Sequence, residues 1–171
     1  MSPRALPLLV VALALLPTPT HAQATGDNSC EAPEYRQFDF WVGEWTVENA
    51  AGEPAGANRI ELVLKDCALH ESWEGAGGGR GFSYSIYDRR TDSWHQTWVD
   101  DRGRLLQLDG RLEDGKMVLK GENPGPNGGT IFHEVTWEKI DGGRVRQVWS
   151  ISRDEGNSWN TVFDGIYIPA D

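Results

Sequence analysis

Long apolar runs, cysteine and positive charge are all scarce in this sequence. The longest apolar run, residues 5–16, covers twelve residues and has Pro7 inside it. A bilayer-spanning helix needs about 20, so this run is too short. Cysteine occurs twice in 171 residues. That excludes a disulfide-dense scaffold and, with no histidine pair nearby, leaves a zinc site without support. Lys and Arg number 16 against 26 Asp and Glu, a formal net charge of −10. Such a balance repels phosphate backbones and anionic membranes, so nucleic acid is not the expected partner. No stretch keeps a helical period, which argues against a helix bundle. The nucleophile pattern G-x-S-x-G is missing as well.

What stands at the N-terminus reads as a secretory signal peptide. Arg4 supplies the positive charge, the apolar run follows, and Pro17 and Pro19 end it. Ala22 and Ala24 offer small residues for cleavage after Ala24, with a cut after Ala22 as the competing choice. Cys30 follows Asp27, Asn28 and Ser29 rather than small apolar residues, so no lipid anchor is expected. The expected division is a signal peptide over 1–24, a tail over 25–37 and one barrel domain over 38–171. The 147 residues after the leader carry a net charge of −11 and suit a single core. In a secreted or periplasmic setting Cys30 and Cys67 are expected to form a disulfide worth about 3–4 kcal/mol.

Short runs of β-formers alternate with turns rich in Gly, Asp and Asn. Strands are expected over 44–49, 59–65, 69–74, 82–87, 94–100, 105–112, 116–121, 130–139, 144–152 and 159–168. Residues 34–42 are expected to add a short helical turn. Ten short strands with tight links imply an all-β, antiparallel up-and-down barrel. A sandwich is the alternative. Side chains alternate between two faces. Leu69, Glu71 and Trp73 share one, as do Trp94, Gln96, Trp98 and Asp100; Ile131, His133, Val135 and Trp137; and Val145, Gln147, Trp149 and Ile151. A dry core does not tolerate Glu71, Gln96, His133 and Gln147 without partners, because each unpaired polar group costs about 1–3 kcal/mol. A wet or ligand-filled interior does; mutual hydrogen bonding or solvent exposure is the other explanation.

Several phrases resemble a bacterial domain-of-unknown-function family numbered 1579. They are FDFWVGEW (38–45), DCALHESW (66–73), WHQTWVD (94–100), and QVWS (147–150) followed by SRDEGNSW (152–159). The resemblance implies a lipocalin-like, calycin-type barrel and brings no activity with it. Within it, Gly43-Glu44-Trp45 is similar to the G-x-W of the first lipocalin strand, which implies a floor-packing role for Trp45.

The Gly-rich stretch 75–81 does not fit G-x-G-x-x-G and reads as a hairpin loop at a barrel mouth, not a phosphate cradle. Glu71, Asp100 and Asp109 are the carboxylates that glycoside cleavage would need, but no spacing pairs them. Glu71 could instead be paired with Arg146 or bonded to Gln96. His133 is the one histidine placed inside by alternation, hence the one haem-ligand candidate. Of the eight Trp, 41, 45, 94 and 159 flank turns and are expected as plugs and anchors. Trp73, Trp98, Trp137 and Trp149 are the expected cavity walls. SRDEGNSW fits the Asp-box pattern of sialidase propellers, but a single copy in a chain this short reads as a hairpin turn. The expected function is binding of a small apolar or amphipathic molecule, with Glu71, Trp73, Gln96, Trp98, His133, Trp137, Gln147 and Trp149 lining the site and no cofactor. The alternatives are a hydrolase or isomerase built on Glu71, and a barrel without a pocket.

Overall fold

The computed structural model describes residues 30–170. The expected leader over 1–24 lies outside them. Ten strands form a closed antiparallel barrel: β1 Gly43–Asn49, β2 Pro54–Val63, β3 Ala68–Gly75, β4 Arg80–Asp88, β5 Ser93–Asp100, β6 Leu105–Glu113, β7 Lys116–Pro124, β8 Thr130–Ile140, β9 Arg144–Ser152 and β10 Asn160–Pro169. Every strand pairs with its sequence neighbours, and β1 closes the ring on β10. The up-and-down barrel is therefore the architecture, not the sandwich. Closure leaves no free sheet edge.

Alternation decides which side chains face inward. In β4, Gly81, Ser83, Ser85 and Tyr87 are buried while Arg80, Phe82, Tyr84 and Ile86 are exposed. Boundaries differ from expectation at β4, which starts at Arg80 rather than at residue 82, at β7, which runs to Pro124 rather than to residue 121, by one residue at several other strand ends, and at both ends of β2. β2 starts at Pro54 rather than at residue 59, because residues 50–53 make a tight turn. There Asn49 Oδ1 accepts from the N–H groups of Ala51 (2.9 Å) and Glu53 (3.0 Å). It ends at Val63 rather than at residue 65, because Leu64, Lys65 and Asp66 all take positive φ (54°, 57° and 64°). Three successive non-glycine residues in that region are strained and need outside support. The Cys30–Cys67 disulfide (Cα–Cα 5.0 Å) and a hydrogen bond from Arg36 to the Asp66 carbonyl supply it.

Antiparallel order sends alternate links to opposite ends. At one end, two 3-10 turns, Pro33–Arg36 and Asp39–Trp41, cover the opening. Phe38 and Trp41 are fully buried there. Phe38 stacks on Trp41 (centroids 5.1 Å) and meets Trp137 (5.1 Å) and Trp94 (5.6 Å) edge-on. Trp45 donates its indole N–H to the Trp41 carbonyl at 3.0 Å, so it supports the floor. The opposite end carries the β3–β4, β5–β6 and β9–β10 hairpins and remains open.

The last of these hairpins contains the Asp-box. Asp154 Oδ1 accepts from Ser152 Oγ (2.7 Å) and the Ser158 N–H (2.9 Å), and Oδ2 accepts from Ser158 Oγ (2.6 Å). These bonds, led by the one from the Ser158 hydroxyl, hold the Asp154 carboxyl below its ordinary value. Gly156 turns at φ +85°, and the Trp159 ring lies over it. The motif serves the turn.

Candidate functional site

A cavity of about 290 Å³ opens at the uncovered end. Its walls are aromatic, and glycines beside them, on the neighbouring strand for Trp73 and Trp98 and on the same strand for Phe163, make the rings fit. A Cβ at Gly81 would stand 2.2 Å from the Trp98 ring, one at Gly56 would stand 2.7 Å from Trp73, and one at Gly165 would stand 2.5 Å from Phe163. Each ring thus lies flat across backbone that only glycine leaves bare. Trp73 and Phe163 also meet edge-to-face, with centroids 5.9 Å apart. Trp149 completes the wall, and Leu106, Leu108, Val135 and Val162 fill the gaps.

The polar groups form one network deeper in the barrel. Glu71, buried, accepts from Asn58 Nδ2 at 2.7 Å on one oxygen and from Ser83 Oγ at 2.6 Å on the other. Asn58 Nδ2 also donates to Tyr167 Oη (3.3 Å), and Tyr167 donates to Gln147 Oε1. Gln96 Nε2 donates to Ser85 Oγ (3.1 Å) and Ser83 Oγ (3.4 Å). Ser83 has one proton and gives it to Glu71, so Gln96 must be the donor to Ser83. All the hydrogen bonds at Glu71 therefore point toward it, as suits a carboxylate. Burial opposes this and pushes the Glu71 carboxyl up to about 7, against the lowering pull of Ser83 and Asn58. Burial and the nearby Glu71 charge raise the Tyr167 hydroxyl well above its ordinary value.

At the mouth, Arg104 reaches Asp100 through Nε (2.6 Å) and a terminal nitrogen (2.5 Å). Burial raises the Asp100 carboxyl, but its bonds from Arg104 and Arg102 outweigh that and hold it below the ordinary value. The Gly-rich β3–β4 hairpin stands beside this pair: Gly75, Ala76, Gly77 and Gly79 line a second hollow with Asp101, Arg102 and Arg104.

Six of the eight residues expected at the site line the cavity: Glu71, Trp73, Gln96, Trp98, Gln147 and Trp149. His133 stands behind the wall, its Nδ1 accepting from Trp149 Nε1 at 3.1 Å. Burial lowers its proton affinity, and among the described residues no histidine lines the cavity, so the haem-ligand role has no geometry to support it. Trp137 faces inward as expected but lies in the aromatic plug against Phe38 and Trp41. It is near the end of β8 that meets the closed end, and alternation reports side, not depth. Glu71 is joined to Asn58 and Ser83; Arg146 instead binds Asp164 on the outside (2.7 and 2.9 Å). Asp100 is bound to Arg104, and Asp109 pairs outside with His95 at 2.8 Å, so neither forms a carboxylate pair with Glu71.

Asn58, Ser83, Ser85, Tyr167 and Arg104 are additions that no single-strand pattern marked. Cross-strand pairing places Asn58 opposite Trp73 and Ser83 opposite Glu71, so a strand alignment could have found those two. Among the described residues, no group of three His, Cys, Asp or Glu side chains could hold a metal ion, and no helix is long and apolar enough to cross a membrane. The disulfide suits an oxidising environment. Neither the family models nor the curated proteins contain a match to this chain.

Proposed function

We propose that this chain is a secreted or periplasmic lipocalin-like barrel that binds a small apolar or amphipathic molecule at its open end, within the family its sequence phrases resemble. The observation that carries the reading is the cavity itself. It pairs three Trp walls with a hydrogen-bonded floor, at a volume near the lower range of small-molecule sites. Trp73, Trp98 and Trp149 would hold the apolar part of the ligand. Glu71, Gln96 and Gln147 would orient its polar part. Native mass spectrometry of protein purified from its own compartment tests this. A retained small molecule released by mild unfolding is the expected result; ligand-free protein that also takes up no molecule from an extract of that compartment would end the proposal.

One observation favours a second reading, catalysis by Glu71. A buried carboxyl with its proton affinity pushed up to about 7 is poised to give or take a proton near neutrality. Among the described residues no second carboxylate lines the cavity, which points to isomerisation rather than glycoside hydrolysis. Glu71→Gln would then abolish turnover while leaving ligand uptake intact. Slow chemical change of the retained molecule in wild type and not in the variant supports this reading; identical fates in both remove it.

A further inference from the structure

We infer that the molecule taken up at the open end is an amine whose ammonium group meets Glu71 and whose apolar part lies between Trp73, Trp98 and Trp149. The inference rests on the ligand-binding reading above and narrows it to a chemical class.

Charge makes the first argument. Glu71 is enclosed in the barrel, its partners Asn58 and Ser83 are neutral, and no cation among the described residues pairs with it. A buried carboxylate without a counter-charge is costly, and the cost falls when a cation joins it. The other charged or titratable groups facing the interior do not provide one. Arg104 at the mouth is bound by Asp100. Tyr167, from β10, has its hydroxyl held neutral by burial and by Glu71. His133, from β8, is kept neutral by burial and stands behind Trp149.

Hydrogen-bonding capacity makes the second. The floor has acceptors to spare, beside one donor, Gln147, whose Oε1 accepts from Tyr167 and whose amide nitrogen is left to the cavity. Gln96 spends its amide nitrogen on Ser83 and Ser85, leaving its carbonyl oxygen to the cavity it lines. Asn58 Oδ1, behind the cavity lining, is buried with no partner among the described residues. An ammonium brings three donors and no acceptor. A ligand carboxylate or phosphate would bring acceptors only, and like charge, to the same place.

The walls and the outer field make the third and fourth. Indole faces attract cations, most strongly where water is excluded, and three Trp rings enclose this cavity. The chain's net charge of −10 draws cations toward it before contact.

Isothermal titration at pH 8 with 2-phenylethylamine, 2-phenylethanol and 3-phenylpropionate separates the possibilities, since the three share a ring and differ in charge. The amine should bind at least about tenfold more tightly than the alcohol, and the acid most weakly. Lowering the pH from 8 to 6 should weaken the amine about tenfold as Glu71 takes up its proton, with the alcohol unchanged. That readout needs only the wild-type protein. Glu71→Gln should remove the amine's advantage over the alcohol. Equal binding of amine and alcohol, or amine binding indifferent to both pH and Glu71→Gln, overturns the ammonium assignment and leaves ligand binding standing. If none of the three binds, native mass spectrometry decides. A retained amine upholds the inference, a retained neutral or acidic molecule overturns it alone, and no retained molecule overturns it together with the reading beneath it.

Discussion

The two ends of this barrel are built from the same strands and the same residue type, tryptophan, yet they meet opposite demands. At the closed end, Phe38, Trp41, Trp94 and Trp137 are buried against one another. Their rings fill space; Phe38 lies between the two 3-10 turns and Trp41 in the second, and the disulfide anchors the segment ahead of them. At the open end, Trp73, Trp98 and Trp149 are only partly buried and face a gap. Trp73 and Trp98 lie over glycines rather than stacked on one another. Tyr167 joins the two regions, its ring against Trp41 and Trp45 and its hydroxyl in the polar network. Aromatic content alone therefore does not distinguish a core from a binding wall; what lies beneath and beside each ring does.

The contrast breaks most severely at the plug. Phe38→Ala removes a ring with no solvent contact and four aromatic neighbours. It should cost about 3–5 kcal/mol in chemical denaturation. Glu71→Gln should act in the opposite direction, and only at higher pH. The folded carboxyl titrates near 7 against an ordinary 4.5, so the unfolded chain loses its proton first as pH rises. The stability contributed by the protonated group is complete below about 4.5 and falls as pH climbs toward 7. Gln keeps the shape of the protonated acid. The variant should therefore match wild type near pH 4.5 and exceed it by roughly 3 kcal/mol at pH 8, at about 1.4 kcal/mol per unit. A pH series of denaturation midpoints checks this, and a constant offset would show that burial does not govern Glu71.

Gly81→Ala sharpens the comparison with less damage. The added methyl must displace the Trp98 ring, and the open cavity is where the ring can go. A loss of about 1–2 kcal/mol in stability should accompany a much larger loss of ligand affinity. Equal losses at both would mean that Trp98 belongs to the core. Smallest of all should be Asp154→Ala, which releases the β9–β10 turn: a slight fall in melting temperature, with binding in calorimetry unchanged.

Much of the fold was open to reading because a β-barrel writes itself in period two. The run Leu69, Glu71, Trp73 and the run Val145, Gln147, Trp149 announce an inward face that mixes apolar and polar groups, and the structure brings both to one cavity. Position along the barrel axis was not readable. Trp137 and Trp149 look alike in sequence, and only the register of β8 on β9, which sets Trp137 against Gln147 and Trp149 against Val135, puts one in the plug and the other in the wall. Asn58 and Ser83 were hidden for a related reason, since polar residues in strands usually face water and their partner lies on another strand. The early start of β2 was masked by Ala55, Gly56 and Ala57, weak strand formers that are needed where Trp73 passes over Gly56.

The central claim is that the open end takes a ligand and the closed end does not. The indole N–H resonances of the eight tryptophans test it most directly, in ¹⁵N-labelled protein titrated with 2-phenylethylamine. Trp73, Trp98 and Trp149 should shift together with one saturation curve while Trp41, Trp45, Trp94 and Trp137 stay in place. Shifts centred on the plug tryptophans, with the open-end three unmoved, would contradict it.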